Sequence, residues 1–105
     1  MQVTFKASFS HSAPPETSAN GKTYQRVYFQ TPARRDDFGA ETYPAETFEI
    51  VIYGEDFRKK FFAGYKPDQP EQRAEVICYL NSKAKQVDNK TFYNLTLSFK
   101  AVNWI

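Results

Sequence analysis

The sequence predicts an all-β fold, with five strands closed into a small barrel and one short helix between the third and fourth strands. Three observations carry that prediction. Apolar and polar residues alternate along five separate stretches, the period of a strand with one buried face. After Gly54 the apolar spacing changes to three and four residues, the period of a helix. Aromatic residues are abundant, with ten Phe, seven Tyr and one Trp among 105 residues, and they are spread along the alternating stretches.

The first strand is "QVTFKASFS", where Val3, Phe5, Ala7 and Phe9 alternate with Gln2, Thr4, Lys6 and Ser8. "HSAPPETSANGK" follows, a loop rich in Pro and Ser that ends in the turn pair Asn20-Gly21. "TYQRVYFQT" is the second strand. It turns Gln25, Val27 and Phe29 inward and leaves Tyr24, Arg26, Tyr28 and Gln30 on the other face. "PARRDDFGAETYPAE" is a polar loop of about 15 residues, a length that in compact domains usually accompanies function or mobility. The third strand, Glu46–Tyr53, directs Phe48, Ile50 and Ile52 inward, with Thr47, Glu49, Val51 and Tyr53 outward.

Beyond Gly54, the acids Glu55 and Asp56 suit a helix N-terminus. Phe57, Phe61 and Tyr65 recur at intervals of four with Phe62 beside them, while Arg58, Lys59 and Lys60 take the opposite face. Gly64 is placed to end a helix of about two and a half turns, and Pro67 prevents its return. "RAEVICYLNSKAK" and "TFYNLTLSFKAVNWI" supply the last two strands, joined as a hairpin through Asp88-Asn89. Val76, Cys78 and Leu80 share one parity, as do Tyr93, Leu95, Leu97 and Phe99, unless a bulge shifts the register. The order β-β-β-α-β-β with high aromatic content is the plan of an OB-fold barrel, in which the helix plugs one open end with its Phe face.

Length and composition bound the rest. A chain of 105 residues builds one core, so residues 1–105 are expected to form a single domain. Hydrophobic content of 41% with 25% charged residues describes a soluble globular protein. The net charge of +2 is too mild for a global field, so any nucleic-acid site must arise from local clusters of Lys and Arg. No apolar run approaches the roughly 20 residues of a membrane span, and no signal-peptide core follows Met1. With Cys78 alone, an internal disulfide is excluded, and a cytoplasmic setting is expected.

Catalytic chemistry finds no support. His11, the one histidine, stands in a loop entry with no fixed partners for acid–base work. Cys78 lies in the apolar alternation "EVICYL" and reads as a small buried hydrophobe. One Cys and one His cannot build a structural zinc site. The pairs Asp36-Asp37 and Glu55-Asp56 are sequence neighbours without the enclosed, opposed placement that acid–base catalysis needs. The four glycines are scattered rather than gathered into a phosphate loop. The expectation is a protein without enzymatic activity, cofactor or metal.

What remains is a surface where aromatic rings and cations share strands. Tyr24, Arg26 and Tyr28 project outward from the second strand, with Tyr53 beside them on the third. Arg34 and Arg35 lie in the following loop, and Lys83, Lys85 and Lys90 flank the last turn. Unpaired bases need a flat ring to stack on and a cation near their phosphates, and OB-folds offer the outer face of strands two and three for this purpose. Tyr and Arg on an exposed strand also suit an ordinary sheet surface or a protein interface, so the residues alone leave both readings open.

The stretch "ETFEIVIYGEDFRKKF", followed by a hairpin ending in "YNLTLSFKAVNWI", resembles the bacterial single-stranded-DNA-binding protein family. More closely, residues from about Thr23 to Ile105 resemble small OB-fold proteins of the Bacteroides group that share the "YP…F.I..YG" pattern and an aromatic near the C-terminus. The resemblance implies that Tyr53 occupies a base-stacking position, that Tyr28 lies on the equivalent second-strand face, and that the Lys83–Lys90 hairpin contacts DNA. Thr47 stands where the family often has tryptophan, and "KPDQPEQR" replaces a glycine-containing turn. The sequence ends at "NWI" without an acidic tail, so recruitment of partner enzymes through such a tail is not expected. The expected function is binding of single-stranded DNA or RNA with little sequence preference, by a homodimer or homotetramer. The alternative is a non-catalytic protein-interaction or self-association module on the same barrel.

Overall fold

Strict alternation on the first three stretches produces the strands expected of it. The computed structural model describes residues 1–69 and 71–105, with all of their side chains except those of Thr42 and Tyr43. Pro70, inside "KPDQPEQR", lies outside the described residues. The elements are β1 (Gln2–Ser12), β2 (Glu16–Thr17), β3 (Thr23–Thr31), β4 (Arg34–Arg35), β5 (Glu41–Tyr43), β6 (Glu46–Tyr53), α1 (Glu55–Phe62), β7 (Arg73–Val87) and β8 (Lys90–Trp104). Among the described residues, no helix is long and apolar enough to cross a membrane.

Five strands close into a barrel, in the order β1-β7-β8-β6-β3 and back to β1. The β6–β8 seam is parallel, with Ile50 beside Leu97 and Val51 beside Ser98, while the other seams are antiparallel. β1 serves two neighbours: Gln2–Ser8 lie along β7, and Ser8–Ser12 lie along β3. A register shift between Phe9 and His11 accompanies that change of partner, as bulges do where strands turn a barrel corner.

The core follows the expected parity. Ala7, Phe9, Val27, Phe29, Ile50 and Ile52 are buried from the first three barrel strands, and Ala74, Val76, Cys78 and Phe99 from the last two. Burying one large apolar side chain of this kind stabilises the fold by about 1.5–3 kcal/mol. Gln25 is buried among them with both ends of its amide bonded: its Nε2 donates to the Ala13 carbonyl at 2.9 Å, and its Oε1 accepts from Arg58 Nε at 3.0 Å.

β8 changes parity partway. Ile77 pairs with Ala101 and Cys78 with Phe99, which leaves Lys100 as the extra residue of a bulge. Before it, Leu97 and Phe99 turn inward; after it, Val102 and Trp104 pack against the core. The hairpin turn is the expected pair, with Asp88 and Asn89 both at positive φ (50° and 64°), the backbone that a two-residue hairpin turn requires.

Gly54 joins strand to helix at φ 85°, a conformation costly for any residue with a Cβ. α1 then runs for eight residues and stops at Phe62, shorter than expected. Gly64 does not end it in the left-handed conformation. A Cβ on Gly64 would lie 2.7 Å from Trp104 Cδ1, so glycine is needed for close approach to the indole. Tyr65, beyond the helix, still reaches Phe9 and Trp104 with ring centroids 4.9 and 5.6 Å apart. The helix does close the barrel end, but its plug is Phe61, fully buried, with Trp104, whose Nε1 donates to the Phe61 carbonyl at 2.9 Å. Phe57 sits at the rim, edge-on to Phe99.

Candidate nucleic-acid interface

With Gln25, Val27, Phe29, Ile50 and Ile52 turned inward, the intervening residues of β3 and β6 form one outer face. Register sets its rows. Tyr24 is opposite Tyr53, Arg26 opposite Val51, and Tyr28 opposite Glu49, while Glu16 of β2 flanks Tyr24 on the other side. The Tyr24 and Tyr53 rings lie 6.3 Å apart, tilted by 44°. Arg26 places its guanidinium 5.3 Å from the Tyr24 ring centre, a cation–π distance. Tyr28 carries a face-to-face partner: His11 stacks on it at 4.5 Å and 17°.

Two carboxylates bracket the central cation. Arg26 Nη1 donates to Glu16 Oε2 at 2.6 Å, and its Nε lies 3.6 Å from Glu49 Oε1. Tyr28 donates its hydroxyl to Glu49 Oε2 at 3.1 Å. The hydrogen bond to Glu16 raises the Tyr24 hydroxyl above its ordinary value, and the hydrogen bond to Glu49 does the same for Tyr28. The Glu16 charge raises Arg26 in turn. The face thus gathers its tyrosine rings around one guanidinium and two carboxylates. The ion pairs are half exposed, so solvent screens them.

Arg34 and Arg35 sit in a small ribbon inside the long loop, where Arg34 pairs with Tyr43 and Arg35 with Glu41 across β4 and β5. Its turn is built around Asp36, whose Oδ1 accepts from the Phe38 and Ala40 N–H groups, both at 2.9 Å. Arg35 Nη1 donates to the Gly39 carbonyl at 3.1 Å, and Gly39 takes φ 82°. At the tip, Phe38 is 97% exposed.

The β7–β8 hairpin leaves the barrel as an arm whose residues 81–96 are all exposed. Alternation puts Lys83 and Lys85 on its outer face, continuous with Tyr79, and across from them Asn94 and Phe92. Lys90 is opposite Val87 on that same face. Because β8 runs parallel to β6 with Leu97 beside Ile50, the arm extends past the N-terminal end of β6. The β4–β5 ribbon leaves from that end too, away from α1.

The predicted site residues thus fall into two groups. Tyr24, Arg26, Tyr28 and Tyr53 form one contiguous patch on the barrel. Arg34, Arg35, Lys83, Lys85 and Lys90 belong to projections at the barrel end opposite α1. Sequence reasoning gave no role to His11, Glu16, Glu49, Phe38 or Phe92. Only cross-strand register brings Glu16 and Glu49 to Arg26, and no local spacing encodes it. Exposed Phe38 in a polar loop was a visible sign, as was Phe92 beside the turn.

No protein-family model and no curated protein matches the sequence. Solved structures do match it over nearly the whole length of both chains. The chain is similar to the mitochondrial single-stranded DNA-binding protein of S. cerevisiae, with TM-score 0.69 and 17% identity over 99% of this chain and 92% of that one. It is similar to the Plasmodium falciparum SSB solved in complex with ssDNA, with TM-score 0.64 and 10% identity over 99% and 93%. It is similar as well to the small single-stranded DNA-binding protein from Streptomyces coelicolor, with TM-score 0.62 and 12% identity over 100% and 94%. At such identities the common property is the fold, a five-stranded OB barrel with its helix between the third and fourth barrel strands.

Proposed function

We propose that this chain binds single-stranded nucleic acid, DNA in the first place, with little sequence preference and without catalysis. The observation that carries the reading is the contiguous patch of Tyr24, Tyr53 and Tyr28 around Arg26 on the outer β3–β6 face. Ring faces accept any base, and each stacked base contributes about 1–3 kcal/mol. In this reading Tyr24, Tyr28 and Tyr53 stack on bases, while Arg34, Arg35, Lys83, Lys85 and Lys90 track phosphates and Arg26 stands between. Three proteins of the same fold carry single-stranded DNA binding in their names, which supports the same ligand here. Duplexes are poor ligands for such a face because paired bases hide theirs.

The chain is further proposed to assemble as a homodimer or homotetramer. Tyr93 and Leu95, exposed by 70% and 67% on the inner face of the arm, support this. They continue into a groove of about 530 Å³ whose apolar side is lined by Phe5, Phe48, Leu80 and Leu97 and whose other rim is Thr47, Glu49 and Val51 of the β6 outer face; a partner copy would cover the apolar side.

Titration of a fluorescent single-stranded oligonucleotide at rising salt tests the proposal. Binding should be measurable at low salt and weaken with a log–log slope of about −0.7 for each phosphate contact. Absence of binding at low salt rejects it and leaves the self-association module.

A further inference from the structure

We infer that Glu16 and Glu49 bias this face toward guanine, accepting hydrogen bonds from its Watson–Crick edge beside Arg26; the inference rests on the nucleic-acid reading above. A guanidinium serving phosphate alone would stand clear of competing anions. Arg26 instead holds Glu16 at 2.6 Å and has Glu49 at 3.6 Å, so one positive charge meets two negative ones. The centre of the stacking patch therefore repels phosphate, and the strand must turn its bases, not its backbone, toward this point.

The carboxylates have acceptor capacity to spare. Each ionised carboxylate offers about four acceptor sites. Glu16 gives one to Arg26, and Glu49 gives one to Tyr28. Their side chains remain 48% and 52% exposed. Both lie at the hydroxyl ends of the stacking rings, where the edge of a base overlapping a tyrosine would protrude.

The bases differ at that edge. Guanine presents N1–H and an N2 amino group side by side, two parallel donors that a carboxylate accepts as it accepts an arginine fork. Its O6 lies alongside as an acceptor for a guanidinium. Adenine and cytosine set one amino group next to a ring acceptor. Thymine offers a single N–H between two carbonyls, which carboxylates repel. A neighbouring Arg and Glu thus complement guanine best and thymine least, and the edge is available only in unpaired strands.

The test uses three fluorescent single-stranded oligonucleotides: all thymine, thymine with isolated guanines, and the same with hypoxanthine replacing guanine. Isolated guanines avoid four-stranded assemblies, and hypoxanthine keeps the ring size, N1–H and O6 but lacks the amino group. The native protein should bind the guanine oligonucleotide about three- to tenfold more tightly than all-thymine, with most of that advantage lost on hypoxanthine. Glu16→Gln and Glu49→Gln should each shrink the guanine-to-thymine ratio while raising affinity for all-thymine, since a repulsive charge is removed. A native ratio near one overturns the inference, as does an equal gain from hypoxanthine or a ratio that survives both substitutions. In each of those cases all-thymine still binds and the proposed function stands; failure of every oligonucleotide to bind rejects both.

Discussion

Tyr53 projects from β6 with 54% of its surface exposed and its ring tilted against Tyr24, outside the core cluster, so it adds little to the core. Tyr53→Ala should therefore leave the melting temperature almost unchanged while weakening single-strand binding by roughly five- to a hundredfold. Tyr28→Ala should act in the same direction. Untouched affinity together with a lowered oligomer stability would instead assign the face to a protein interface. Gly64 behaves oppositely. Trp104 is held by its bond to the Phe61 carbonyl and cannot swing away from a new methyl group. Gly64→Ala should cost about 1–3 kcal/mol of stability in a denaturant melt, and a neutral result would mean that the indole yields. Burial pushes the Cys78 thiol up to about 12. Below the ordinary thiol range both folded and unfolded chains hold the proton. From there toward pH 12 only the unfolded chain ionises, so Cys78 makes stability fall as pH rises. Cys78→Val should show a smaller alkaline loss than the native chain, and parallel pH–stability curves would contradict this.

Among the elements, β3, β6 and β1 up to Phe9 were legible because each alternates without interruption and buries one face only. β8 was half legible. Nothing in "SFKAVNW" marks Lys100 as the extra residue, since the bulge is a response to barrel curvature rather than to local composition. That inversion sends Trp104 inward, and the same hidden step made Gly64 look like a helix terminator. The site divides similarly. The outward tyrosines follow from parity, whereas the Glu16–Arg26–Glu49 bracket depends on three strands meeting in register. α1 was legible as a plug because Phe61 falls on its apolar stripe. Phe61→Ala should lower stability by about 3–5 kcal/mol through lost burial and a cavity. Unchanged thermal unfolding would show that the helix contributes no closure.

At the scale of the whole molecule, rings are exposed on both the barrel face and the arm, and the two surfaces differ in the charge set among them. The barrel face is rich in rings and holds one cation between two carboxylates, whereas the outer side of the arm carries Lys83, Lys85 and Lys90 around Phe92. Salt dependence should therefore report on the arm and on the β4–β5 ribbon with Arg34 and Arg35, rather than on the barrel face. Replacing all three lysines by alanine should flatten the log–log salt slope by about 2, whereas Arg26→Ala should change it little because carboxylates already occupy that guanidinium. The reverse pattern would move the phosphate path onto the barrel.

The seat of Trp104 also makes the protein its own optical gauge. The one tryptophan of the sequence is partly buried and packed against Phe9, Phe29, Phe61 and Tyr65 at the barrel end that the helix closes, while the proposed stacking rings point outward. Its emission should be blue-shifted in the native state, move to the red when the helix lifts, and hold its wavelength as oligonucleotide is added. Tryptophan emission would then follow folding alone, and a label on the outer face would be needed to see the ligand arrive.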